Sequence, residues 1–170
     1  MNKAVFLDRD GTINVDFGYT HKKEKLCFID GVINALKRLK DGGYKIIIIT
    51  NQSGIGRGYF TECDFLEFQS CMNDTLAENG AEVDGVYFCP HTDDENCLCR
   101  KPKTELFLRA AKEHDIDFSK SFAVGDRVRD LSICTEKPVT GILFGKEKTE
   151  GYMQFSKWSQ IADYILKQRA

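Results

Sequence analysis

No apolar run in this 170-residue sequence approaches the roughly 20 residues that a bilayer-spanning helix needs, which excludes a membrane-crossing segment of that kind. Proline is scarce, at three residues, and there is no Pro- or Gly-rich stretch, no internal repeat and no low-complexity tract. Nothing therefore marks a linker, and the chain reads as one domain over residues 1–170. The start, Met1 to Leu7, carries a short apolar run without a cleavage-site pattern, which speaks against export and for the cytoplasm. A formal net charge of only -2 gives no long-range pull on nucleic acid or anionic lipid, while small anionic substrates stay open. The seven cysteines are an odd number with no secretion signal, which argues against a disulfide framework. What remains, 42% hydrophobic and 29% charged residues, is the composition of a soluble globular protein long enough to bury its own core.

Apolar runs alternate with segments of helical period, the mark of an α/β domain with crossover helices. Five runs read as buried parallel strands: 4–7, 45–50, 85–89, 121–125 and 139–144. Between them, Thr61-Glu62-Cys63-Asp64 predicts a capped helix whose stripe is Phe65, Phe68, Met72 and Leu76, ending near Asn79-Gly80. Val32, Leu36 and Leu39 predict a second helix, Thr104 opens a third, and a last one runs from about 158 to 168. The stretch 145–157 carries no readable pattern.

In open parallel sheets the ligand sits beyond the carboxyl ends of the strands. There the first strand delivers Asp8-Arg9-Asp10-Gly11-Thr12, the second Thr50-Asn51-Gln52-Ser53-Gly54 and the fourth Gly125-Asp126-Arg127-Val128-Arg129-Asp130. Two aspartates at i and i+2 on such a turn supply one carboxylate to attack phosphorus and a second for acid/base work, with Gly11 turning the chain and leaving amides free for an anion. A phosphoryl group beside two carboxylates calls for a hard divalent cation, and Asp126 is the obvious further ligand. Asp130 is either a partner behind the site or an exposed helix residue. The Thr50 hydroxyl and the amides of residues 51–54 form a neutral donor set for phosphate oxygens, and Arg100-Lys101-Pro102 offers the missing cation, with Pro102 holding Lys101 extended. Cys89-Pro90-His91 and Cys97-Leu98-Cys99 supply three thiolates and an imidazole within eleven residues, the ligand set of a closed structural Zn²⁺ site that clamps a polar loop ending in Arg100 and Lys101.

Asp8-Arg9-Asp10-Gly11-Thr12, Thr50, Lys101 and Asp126 together resemble the four motifs of the haloacid dehalogenase superfamily of phosphatases. Asp16-Phe17-Gly18-Tyr19-Thr20-His21, the run Thr50 to Gly58, Cys89-Pro90-His91 and Cys97 to Pro102 look like the D-glycero-D-manno-heptose 1,7-bisphosphate phosphatases of heptose biosynthesis. The resemblance implies a three-layer Rossmann-like domain with a mostly parallel sheet and no large cap. It also implies Asp8 as nucleophile, Asp10 as general acid/base, and Mg²⁺ on the Asp8 carboxylate, the Asp10 carbonyl and Asp126. Thr50 and Lys101 would hold the phosphoryl group. Asp16, Gly18, Tyr19, Asn51, Gln52, Ser53, Arg100 and Arg127 match positions that contact the sugar or its distal phosphate, and Cys89, His91, Cys97 and Cys99 match zinc ligands. The implied reaction is removal of the 7-phosphate of the heptose bisphosphate by a monomeric enzyme. The rival reading is a histidinol-phosphate phosphatase or another small-metabolite phosphatase; a catalytically silent binding domain and a polynucleotide phosphatase fit less well. Two stretches depart from the family pattern, Lys103-Thr104-Glu105 and Ser132 to Pro138, and both border the site.

Overall fold

Ile46, Ile47, Ile48 and Ile49 are all at most 1% exposed, and they divide between two cores. Successive side chains of a strand point to opposite faces, so a continuous apolar run is buried only if both faces of its sheet are covered. Val5, Leu7, Ile46 and Ile48 pack in one core with Phe68, Met72, Trp158 and Ile161; Ala4, Phe6, Ile47 and Ile49 pack in the other with Leu106, Phe107, Ala110 and Leu131. Truncating one of these isoleucines to alanine would cost about 2–5 kcal/mol.

The computed structural model describes residues 1–168. Its strands are β1 (Lys3–Leu7), β2 (Tyr44–Asn51), β3 (Gly85–Cys89), β4 (Phe122–Gly125), β5 (Thr140–Phe144) and β6 (Met153–Phe155). They form one six-stranded sheet in the order β3-β2-β1-β4-β5-β6, every pairing parallel. The helices are α1 (Val32–Asp41), the short α2 (Ser53–Gly56), α3 (Glu62–Glu78), α4 (Glu105–Glu113) and α5 (Trp158–Lys167), with a long 3-10 segment at Val128–Thr135. No helix among the described residues is long and apolar enough to cross a membrane.

The three-layer α/β reading holds, and all five expected strands form. β6 is the addition: it lies in the stretch without a readable pattern, where three half-exposed residues at a sheet edge carry too little apolar signal to register. α3 opens on the expected capping box, Asp64 N donating to Thr61 Oγ1 at 3.1 Å and Thr61 N to Asp64 Oδ2 at 2.8 Å. α4 starts after Thr104, but that hydroxyl donates to Glu136 Oε2 at 2.9 Å instead of capping the helix. α5 covers the expected span, and its first residue reaches the loop after β1: the buried Trp158 Nε1 donates to Thr12 O at 2.8 Å.

The chain winds from β1 outward to β3, then returns to β4 and winds outward the other way. β1 is therefore flanked by β2 and β4, and the crevice beyond its carboxyl end is the switch point where such sheets take their ligands.

Candidate active site

Asp8 leaves β1 with its amide still donating to Val124 O of β4 at 3.0 Å, which sets its side chain beside the end of that strand. Lys101 Nζ donates to Asp8 Oδ1 at 2.9 Å, to Asp130 Oδ1 at 2.7 Å and to Ile49 O at 2.7 Å, so all three ammonium donors are used. Lys101 is 2% exposed. A lysine is buried this deeply only when paired. Burial opposes its charge, yet the carboxylates of Asp8 and Asp130 win and hold its pKa above the ordinary lysine value. For Asp8 burial dominates and pushes the carboxyl well above the usual carboxylate range; Lys101 opposes this, while Asp130 and Asp126 add to it. Burial and then Asp130 raise Asp126 as well.

Lys101 is held from a second direction. Its backbone N–H donates to Asn51 Oδ1 at 3.0 Å, and Asn51 Nδ2 donates to Lys101 O at 3.2 Å. Asp10 sits across the floor, 19% exposed, with Oδ1 accepting from Asn14 Nδ2 at 3.0 Å and Oδ2 from Gln52 Nε2 at 3.0 Å. Behind it the fully buried Arg9 donates from Nε to Asp10 Oδ1 at 3.1 Å and from Nη2 to Thr20 O at 2.9 Å, its guanidinium 4.6 Å from the Phe68 ring centre. This fixes the Asp8–Thr12 turn to the loop bearing Tyr19 and to the core face of α3. Thr50 Oγ1 accepts from Gln52 Nε2 at 2.9 Å, which leaves its own proton to donate.

Asp8, Asp10, Thr50, Asn51 and Gln52 line a cleft of about 350 Å³ together with Asp16, Gly18, Tyr19, Ser53, Gly54, Arg57, Asp93, Arg100, Arg127 and Arg129. Every position expected to contact the substrate lines it. Asp16 Oδ1 accepts from Gly18 N at 2.9 Å, and Tyr19, at a left-handed φ of 49°, packs edge-on against Tyr59 with ring centres 4.8 Å apart. Arg100 Nη2 pairs with Asp93 Oδ1 at 2.7 Å.

Two side-chain clusters bear on metal binding. Oxygens of Asp8, Asp126 and Asp130 lie within 4.8 Å of one another, and Asp126 Oδ1 is buried without a hydrogen-bond partner. A Cβ at Gly11 would stand 2.4 Å from Asp126 Oδ2, so the turn carries glycine where that carboxylate closes in. Crowded carboxylates with an orphaned buried oxygen fit a hard divalent cation. Both oxygens of Asp130 are committed, one to Lys101 and the other to the Arg127 amide, which donates to its Oδ2 at 3.0 Å; Asp8 pairs with Lys101 through Oδ1 alone, so Asp8 and Asp126 are the carboxylates with an oxygen left for a cation. In the second cluster Cys89, His91, Cys97 and Cys99 bring their ligand atoms within 4.8 Å of one another. The close pairs are 2.9 to 3.5 Å apart, near the roughly 3.5–3.8 Å expected between ligands of a four-coordinate zinc. His91 Nδ1 faces the thiols while Nε2 lies 4.0 Å from Glu95 Oε2. Burial and then the Cys99 thiol hold the Cys89 proton on, a cost that a metal binding the thiolate removes.

Three expectations change. The amides of Gly11 and Thr12 are not free for an anion, because they donate to Asn14 O at 2.8 Å and Arg9 O at 3.1 Å within the turn; the Gln52 amide likewise donates to Cys89 O at 2.7 Å. The Asn51 side chain lines the cleft but gives its amide to the Lys101 backbone. Asp130 is 3% exposed and ion-paired, which settles its open reading as the partner behind the site. Arg57, Asp93 and Arg129 also line the cleft and were not anticipated. The three-residue spacing of Arg127 and Asp130, a capping interval, was the available signal for Asp130. Nothing local distinguishes the two arginines from solvated charges.

A family model described as polynucleotide kinase 3 phosphatase matches residues 3–157. The D-glycero-beta-D-manno-heptose-1,7-bisphosphate 7-phosphatase of Haemophilus influenzae is 46% identical over 184 residues, covering 98% of this chain and 92% of that protein. The protein of the same name from Helicobacter pylori is 51% identical over 131 residues, 76% of each chain. Among solved structures, the D,D-heptose 1.7-bisphosphate phosphatase from B. bronchiseptica, complexed with magnesium and phosphate, aligns over 98% of this chain and 99% of its own with a TM-score of 0.88 and 28% identity. With relatives this similar over nearly its whole length, the chain belongs to the haloacid dehalogenase-type phosphatases and, within them, to the family of heptose-1,7-bisphosphate 7-phosphatases.

Proposed function

We propose that the protein hydrolyses the 7-phosphate of D-glycero-D-manno-heptose 1,7-bisphosphate through a phospho-aspartate on Asp8. The observation that carries the reading is the junction of two parts in one cleft: Asp8, backed by the buried Lys101–Asp130 pair, and the side chains of Arg57, Arg100, Arg127 and Arg129. The first part transfers phosphoryl groups. The second leaves a place for a phosphate that does not react.

In the first half-reaction an Asp8 oxygen bonds to phosphorus as the bond from phosphorus to the sugar oxygen breaks, and Asp10 gives that oxygen a proton. In the second, water attacks phosphorus, its proton passes to Asp10, and the bond to Asp8 breaks to release inorganic phosphate. Gln52 and Asn14 orient the Asp10 carboxyl for both transfers. The Thr50 hydroxyl and Lys101, which turns to the phosphoryl group the donor it now gives Asp8, take the equatorial oxygens, where transition-state charge gathers. Asp8, Asp126 and the Asp10 backbone carbonyl would hold Mg²⁺, which supplies charge neutralisation at the phosphoryl oxygens when bound. Cys89, His91, Cys97 and Cys99 would hold Zn²⁺ and order the loop that carries Arg100.

A cleft of about 350 Å³ suits a small sugar better than a polynucleotide end, although the matching family model bears that name. One continuous sheet supports reading the chain as a single domain, and a site furnished wholly by one chain is consistent with a monomer. Seven free cysteines suit the reducing cytoplasm. Steady-state kinetics with Mg²⁺ test the substrate: the heptose bisphosphate should be turned over with at least tenfold higher kcat/KM than histidinol phosphate, and the reverse order refutes the reading.

A further inference from the structure

We propose that Arg129 is a specificity-determining residue that grips the non-reacting phosphate of a bisphosphorylated substrate together with Arg100; this rests on the reading of the cleft just given. Four arginines line the cleft and their pairing differs. Arg100 is tied to Asp93 through Nη2, yet its Nη1 is buried with no partner. Arg127 has its charge beside Asp126. Arg129 forms no ion pair among the described residues, is partly buried, and its Nε is enclosed without a hydrogen-bond partner. A guanidinium N–H removed from water and left unpaired costs free energy, and a half-buried cation without a carboxylate adds to that cost. Both are relieved when an anion occupies the cleft.

The anion that fits is the second phosphate, for two reasons. The cation paired with Asp8 is Lys101, and among the described residues no arginine forms an ion pair with that carboxylate, which leaves the arginines of the cleft for a second anion. Arg129 also follows β4 whereas Arg100 follows β3, on the other side of β1 in the sheet order. Two forks approaching from opposite sides can clamp a tetrahedral anion, and guanidinium N–H groups match phosphate oxygens in pairs.

The test is a cycle of two substrates and two variants in the full-length protein with Mg²⁺. The substrates are heptose 1,7-bisphosphate and heptose 7-phosphate, which differ only by the distal phosphate; the variants are Arg129→Gln and Arg129→Lys. Arg129→Gln should lower kcat/KM for the bisphosphate about 10- to 100-fold, mainly through KM, and change that for the monophosphate less than twofold. Arg129→Lys keeps the charge without the fork; it should lose at least threefold on the bisphosphate alone, and it provides the comparison should the glutamine variant not fold. Equal losses on both substrates, or no loss on the bisphosphate, would overturn the assignment. If the wild type itself does not prefer the bisphosphate, the proposed substrate falls together with the role of Arg129. If the wild type prefers it and both variants keep the full preference, only Arg129 is wrongly assigned.

Discussion

Replacing Asp8 by Asn should abolish turnover and, in metal-free protein at pH 7.5, make the fold more stable. The magnitude follows from the charges around the carboxylate. With an effective dielectric constant near 20, the attraction between Asp8 and Lys101 across 2.9 Å is about 6 kcal/mol. Repulsions from Asp126 and Asp130, whose oxygens lie within 4.8 Å, are at least about 3.5 kcal/mol each. The repulsions together at least offset the attraction, and burial, the largest influence on Asp8, adds to them. Asn keeps the shape and an acceptor for Lys101, so the variant loses about 1 kcal/mol of charge-assisted hydrogen bonding and escapes a larger penalty. The expected net gain is about 1–3 kcal/mol. Because the folded-state pKa of Asp8 is raised, the folded wild type holds its proton at a pH where the unfolded chain has released it, and its stability falls as pH rises through that folded pKa. The advantage of Asp8→Asn should therefore open with rising pH and vanish toward acid. Urea unfolding of both proteins in chelator from pH 4 to pH 8 measures it. Saturating Mg²⁺ should reverse the order, since a ligand at a hundred times its Kd adds about 2.7 kcal/mol to the wild type. A metal-free Asp8→Asn less stable than wild type at pH 7.5 would refute the account of a strained carboxylate floor.

Asp130→Asn removes one of the two carboxylates that hold the Lys101 proton; kcat should fall about 10- to 100-fold, and the alkaline limb of the pH–rate profile should move to lower pH, whereas an unmoved limb would show that Asp130 does not act through Lys101. Gly11→Ala places a methyl 2.4 Å from Asp126 Oδ2 at a φ of 85°, so Mg²⁺ affinity followed by titration of activity should weaken at least about tenfold, with about 1–3 kcal/mol lost from stability. Elemental analysis of protein purified without chelators should find about one zinc per chain, and Cys99→Ser should lower that content while chelation abolishes activity that Mg²⁺ alone does not restore. A zinc-free protein with full activity would remove the metal from the account.

Much of the layout was legible because strong signals coincide with strand ends. A tetrad of isoleucines can only be a strand covered on both faces, and Asp8, Thr50 and Asp126 each follow such a run. The cysteine and histidine ligands were legible from side-chain chemistry and short spacing, since four soft donors within eleven residues have few other uses. What escaped was three-dimensional. Asp130 looks like any acidic residue in a helical turn until Lys101, 29 positions away, is seen to end beside it. The side chain of Asn51 reads as a substrate contact until the backbone of Lys101 is seen to engage both its oxygen and its nitrogen. Arg9 reads as a variable position inside a motif, yet it lies under Phe68 as a buried brace. Partnerships across 29 to 59 residues leave no periodicity to read.

The paired hydrogen bonds between the Asn51 side chain and the Lys101 backbone imitate a rung of β-ladder, one donor and one acceptor each way, with an amide side chain standing in for a strand. The lysine is thereby registered to the sheet and not only to the loop that delivers it. The position of the ammonium beside Asp8 is therefore set by the sheet end as well as by the cysteine loop. Arg100, one residue earlier and outside that rung, is tied through Asp93 to the cysteine loop itself. Adjacent residues are in this way anchored separately: Lys101, which serves the chemistry, to the end of β2, and Arg100, which faces the cleft, to the cysteine loop.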